Sequence, residues 1–143
     1  HLRWDSLGEF LALGASLEDL AIKTRDPKIQ VLAETLEKAN IDFLDNDKSP
    51  RRKVGDLDTR GSHFYLAFYW VKALAEQTSN VELQQKFAPI NAELQPNEAK
   101  IVAELAAVQG SKADIGGYYY PDLAKLDKVM RPSKTLNAIL NKI

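Results

Sequence analysis

The chain has 143 residues, enough for one domain with a buried core, and 45% of them are hydrophobic and 27% charged, the balance of a soluble globular protein. A net charge of -1 leaves no broad basic surface for general nucleic-acid binding, and the absence of cysteine excludes disulfides, thiolate metal sites and cysteine nucleophiles. The longest apolar run, Phe64 to Val71, is closed by Lys72 and is too short to span a bilayer, and His1 to Asp5 lack the pattern of a signal peptide, so a cytoplasmic protein with no membrane partner is expected.

Helical periodicity runs through the chain. Ser6-Leu7-Gly8-Glu9 has the form of a capping box, in which hydroxyl and carboxylate satisfy reciprocal backbone donors. Phe10, Leu13, Leu17 and Leu20 follow at helical spacing and form one apolar stripe. Asp26-Pro27 restarts the pattern, with an N-cap acid and a proline suited to the first helical position. Ile29, Leu32, Leu36 and Phe43 line this second helix, which should fray near Asn46. Lys48 to Arg60, with its charges, Pro50 and Gly55, reads as a loop.

A third helix is expected from about Ser62 to Ser79; it is apolar on nearly every side and so suits the centre of a bundle. Leu83, Phe87, Ile90 and Leu94 mark a fourth, capped by Asn80 and strained or kinked at Pro89. Pro96 is expected to open a fifth, with Ile101, Leu105 and Val108 buried and Gly110 at its end. Ser111 to Pro121 is a loop, and two short helices follow near Asp122–Val129 and Ser133–Asn141. No segment alternates at the strand period, so the class is all-α, a single multi-helix region over 1–143. A start at His1 with no Met, and a count of two histidines, fit a segment of a longer polypeptide.

Few residue groups suggest chemistry. Asp56 with Asp58, and Asp42 with Asp45, are carboxylate pairs with no further hard-cation ligand near them, and read as solvated or helix-terminus charge. Ser62-His63 is an adjacency rather than a nucleophile–base geometry, and a partly buried structural histidine is the expected role. Gly116-Gly117 follows no strand and makes no phosphate loop. Lys48-Ser49-Pro50-Arg51-Arg52-Lys53 is different: four cations in six residues, with arginine forks that match phosphate oxygens. Arg3 stands just before a helix N-terminus, whose free N–H groups also favour an anion. A charge run in a loop is also what plain solvation produces.

The strings His1-Leu2-Arg3-Trp4-Asp5-Ser6-Leu7-Gly8-Glu9-Phe10, Lys48-Ser49-Pro50 with Arg52-Lys53-Val54-Gly55, and Gly61-Ser62-His63-Phe64-Tyr65-Leu66-Ala67 resemble the C-terminal region of monomeric NADP-dependent isocitrate dehydrogenases. Asn97 to Leu105, Asp114 to Tyr119 and Met130-Arg131-Pro132-Ser133 continue the resemblance in order over the whole chain, with Pro96 and Tyr120 matching less closely. The resemblance implies the C-terminal part of a smaller domain, completed by the remainder of the same polypeptide. It also implies oxidation of isocitrate to 2-oxoglutarate with NADPH formation, in the tricarboxylic acid cycle and beside the glyoxylate bypass. The Mg or Mn ion and the isocitrate-binding residues of the family lie upstream of His1, so no catalytic or metal residue is expected here. Three positions carry over: Arg3 and Arg52 resemble family arginines on the 2'-phosphate of NADP, and Asp5 resembles an acid at the adenosine end. The competing expectation is a non-enzymatic helical module that binds a partner through an apolar face. If the chain is such a segment, an incompletely covered third helix would drive self-association.

Overall fold

A computed structural model describes residues 4–143, and its described residues form six α-helices with no strand. They are α1 (Leu7–Thr24), α2 (Pro27–Asp45), α3 (Thr59–Glu76), α4 (Val81–Ala106), α5 (Leu123–Met130) and α6 (Lys134–Leu140). The order of packing follows the order of the chain: α1 lies on α2, α2 on α3, α3 on α4, and α6 returns to α4.

Local chemistry sets most boundaries. Glu9 accepts from the Ser6 N–H at 3.2 Å and so closes the start of α1. Asp26 accepts from the Lys28 N–H at 2.8 Å, with Pro27 beside it, and Asn80 accepts from the Leu83 N–H at 2.9 Å. α3 starts three residues before the expected Ser62, because Asp58 is its cap and accepts from the Arg60 and Gly61 N–H groups, each at 3.0 Å. It ends at Glu76 rather than Ser79, where Gln77 turns extended and donates from its side chain to the Leu74 and Asn80 carbonyls.

The expected break at Pro96 does not occur. One helix, α4, carries both Pro89 and Pro96 in its interior, and ends at Ala106 rather than Gly110. Each proline removes an i→i−4 hydrogen bond and costs about 3 kcal/mol. The two are seven residues apart, two turns along one exposed face, so the disturbance stays on the solvent side. On the other face Ile90, Leu94, Ile101 and Leu105 are buried, each burial stabilising by about 1.5–3 kcal/mol, which outweighs the interruption. The Asn97 amide also donates to the Glu93 carbonyl at 2.8 Å, supporting the turn around Pro96. Val108, beyond the end of α4, is only half-buried.

The core is centred on α3, whose Phe64, Leu66, Phe68, Val71 and Leu74 meet Leu36, Ala39 and Phe43 of α2 and Leu94, Ile101 and Leu105 of α4. An all-round apolar helix is thus covered on both sides, and it is not the source of exposed apolar surface. That surface lies on α1 instead. Of its expected stripe, Phe10 is buried and Leu17 half-buried, while Leu13 and Leu20 are exposed. A helix with a neighbour on one side only cannot bury a broad apolar face. Tyr118, Tyr119 and Tyr120 are also exposed, in the loop before α5.

Candidate functional site

The basic segment, residues 48–53, follows α2 and leads into α3 through a loop held at several points. The Arg51 N–H donates to the Leu57 carbonyl at 2.7 Å. Gln109, just after α4, accepts from the Gly55 N–H at 2.8 Å and donates to the Asp56 carbonyl at 2.9 Å. The Lys48 ammonium stands over the Tyr65 ring, 4.1 Å from its centroid, an interaction of about 0.5–2 kcal/mol. Tyr65 in turn donates to Glu98 Oε1 at 2.8 Å, and burial, followed by this bond to a carboxylate, pushes its phenol well above the usual range.

These contacts sort the four cations. Lys48 is engaged with Tyr65, and Arg51 is paired with Asp47. Arg52 and Lys53 are exposed and have no ion pair among the described residues. A guanidinium free of an internal carboxylate keeps its full fork for an external anion.

Asp5 is exposed and precedes α1. Its neighbour Trp4 packs edge-on against His63 of α3, ring centroids 5.2 Å apart, and Phe10 meets the same imidazole at 5.4 Å. Burial lowers the His63 pKa, and the nearby Asp5 carboxylate offsets part of that shift. Its Nδ1 is buried with no hydrogen-bond partner among the described residues. It is Trp4, next to Asp5, that packs on α3, the helix into which the basic loop leads. No hydrogen bond, ion pair or ring contact joins Asp5 to Arg52 among the described residues. Arg3 lies outside the described residues.

The carboxylate pairs do other things. Asp58 caps α3 and grips Arg60, whose guanidinium lies 2.7 Å away and also donates to the Val129 carbonyl at 3.2 Å. Asp42 and Asp45 sit in the last turn of α2, the end at which the helix dipole disfavours an anion, so dipole complementarity does not account for them. No group of three or more His, Cys, Asp or Glu side chains converges among the described residues, and no helix among them is long and apolar enough to cross a membrane.

The sequence profile of monomeric isocitrate dehydrogenase matches residues 1–141. The chain belongs to the monomeric isocitrate dehydrogenase family. Among its relatives are isocitrate dehydrogenase [NADP] 2 of Colwellia maris, 57% identical over 141 residues, and isocitrate dehydrogenase [NADP] of Azotobacter vinelandii, 59% identical over 140. Isocitrate dehydrogenase [NADP] 2 of Mycobacterium tuberculosis is 56% identical over 143 residues. The matches cover 99%, 98% and 100% of this chain, but the chain spans only 19% of the length of each relative. Within the family polypeptide, then, these six helices are one segment of a larger whole. What sequence reasoning missed is the Trp4–His63 contact and the Gln109 tether, which join residues 59 and more than 50 positions apart and leave no local signal.

Proposed function

We propose that this chain forms part of an NADP-dependent isocitrate dehydrogenase and supplies part of the pocket for the 2'-phosphate of the cofactor through Arg3, Asp5 and Arg52. The observation that carries the reading is an exposed Arg52 with no ion pair among the described residues, on a tethered loop, in a family whose named relatives are NADP enzymes. The donor chemistry fits a phosphate dianion. When bound, NADP accepts the hydride of the isocitrate secondary alcohol. The role of this chain's residues is recognition. Arg52 and Arg3 donate to the phosphate oxygens, and Asp5 accepts from the nucleotide or orients Arg3. The reaction on this reading is the oxidative decarboxylation of isocitrate to 2-oxoglutarate in the cytoplasm, in the tricarboxylic acid cycle and competing with the glyoxylate bypass. No three His, Cys, Asp or Glu side chains converge among the described residues, and on this reading the Mg or Mn ion of such an enzyme takes its ligands from the remainder of the polypeptide. The catalytic groups likewise belong to the remainder of the polypeptide.

The test is Arg52→Ala in the full-length enzyme. Only the 2'-phosphate distinguishes NADP from NAD, and a lost charge-assisted hydrogen bond costs about 1.5–3 kcal/mol, so NADP affinity falls roughly tenfold or more. NAD affinity stays within about twofold, well inside a single tenfold step. Unchanged NADP affinity would remove Arg52 from the pocket.

A further inference from the structure

α1 and α2 form a hairpin joined through Arg25 and Asp26, and a groove of about 320 Å³ runs between them on the side away from α3. Its apolar surface is exposed: Leu11 is 49% accessible, Ile41 51% and Leu44 48%. Gly14 and Ala15 keep the floor low, which is what a third helix needs to lay a ridge of side chains between two others. Three glutamates, Glu18, Glu34 and Glu37, line the groove, and no lysine or arginine among the described residues does. Gln30 donates to Glu34 at 2.7 Å, and none of the three has an ion pair among the described residues. Asn40 faces the same groove. It is only 6% accessible, and its Oδ1 is buried with no hydrogen-bond partner among the described residues.

We infer that this groove is the docking seam for a helix with an apolar stripe flanked by lysine or arginine, supplied by the part of the family polypeptide outside these 143 residues. The stripe covers Leu11, Ile41 and Leu44, and the flanking cations meet the glutamates. The length argues for an internal occupant, since the relatives carry about four-fifths of their chain beyond the matched segment. Nothing in this inference depends on the cofactor reading.

The experiment uses the full-length polypeptide with Ala15→Cys, a maleimide as probe, and mass spectrometry to read labelling at that site alone. A docked helix slows labelling about tenfold or more relative to the urea-unfolded chain, because the site opens only when the helix leaves. Adding Glu18→Lys and Glu37→Lys restores labelling several-fold, while sedimentation shows a monomer throughout. Native labelling within about twofold of the unfolded rate, where no opening equilibrium protects the site, overturns the proposal. Protection that vanishes as a dimer dissociates on dilution overturns it in favour of a second copy. Protection unmoved by the two charge reversals shows that the occupant is not basic and also overturns it.

Discussion

Trp4 stands edge-on to His63, with ring centroids 5.2 Å apart and planes at 81°, and this contact fixes the approach to α1 against the start of α3. Burial disfavours the charged imidazole and lowers its pKa, against the opposing pull of Asp5. The folded state therefore binds fewer protons than the unfolded state just below the ordinary histidine value. In that window stability falls as pH falls, and the loss is complete below the folded pKa. His63→Phe preserves the ring and removes the titration. Denaturation midpoints measured from pH 7.5 down to about pH 5 should decline for the parent chain and flatten for the variant across the histidine range. Parallel curves would show that His63 does not titrate in the fold.

α6 is anchored by one carboxylate. Glu104 of α4 accepts from the Ser133 hydroxyl at 2.6 Å, the Thr135 hydroxyl at 2.8 Å and the Thr135 N–H at 3.1 Å. The Ser133 bond leads the causes that hold its pKa below the usual carboxylate range. Glu104→Ala should cost about 1–2 kcal/mol, the value for a charge-assisted cluster discounted for solvent screening. Hydrogen exchange should rise first in α6, before α2 or α3. The corresponding acid loss appears as pH falls through the depressed carboxylate pKa, lower than the His63 window, so the two effects separate on the pH axis.

Gly116 has a φ of +83°, and a Cβ built there would lie 2.9 Å from the Asp122 Cβ. Asp122 cannot retreat readily, because its N–H donates to the Ile115 carbonyl at 2.7 Å and its carboxylate accepts from the Lys125 N–H at 2.9 Å. Gly116→Ala should destabilise the loop by about 1–3 kcal/mol through backbone strain and the close contact. Faster proteolysis at Tyr118 to Tyr120, with little change in the global denaturation midpoint, is the expected readout.

Much of the fold was legible where a boundary has local chemistry. Asp26-Pro27 and Asn80 start their helices as their side chains require, and the all-round apolar pattern of α3 does mark the centre. The misreadings share a cause. Proline at positions 89 and 96 is a local signal against a helix, but the four buried side chains on the opposite face of α4 decide the matter, and only tertiary packing reveals them. Asp58 was read as half of a carboxylate pair, because its capping role depends on where Thr59 begins the helix. Periodicity in α1 marked an apolar face but not its cover, and Leu13 and Leu20 of that face are exposed. In the candidate site, the charges of the basic segment are plain in the sequence. That Arg51 pairs with Asp47 while Arg52 has no ion pair among the described residues follows only from the turn of the loop.

The tether of that loop gives the last prediction. Gln109 holds two backbone groups at once, the Gly55 N–H and the Asp56 carbonyl, and so fixes the segment C-terminal to Arg52 against the end of α4. Gly55 has a φ of +96° and Gly110 a φ of +74°, so both partners sit at bends that the tether helps to hold. Gln109→Ala removes both bonds and should cost about 1–2 kcal/mol of stability, each neutral bond contributing near 1 kcal/mol. If Arg52 meets the cofactor phosphate, the freed loop must also be ordered on binding, at about 1–2 kcal/mol for each backbone residue fixed. NADP affinity of the full-length enzyme should then fall roughly tenfold or more, while affinity for NAD, which lacks the phosphate, moves far less. Gln109→Glu separates the two bonds, since its carboxylate still accepts from Gly55 but no longer donates to Asp56. It should fall between the parent and the alanine variant in both stability and NADP affinity. An alanine variant that loses stability yet binds NADP as the parent does would show that the loop's order has no part in cofactor recognition.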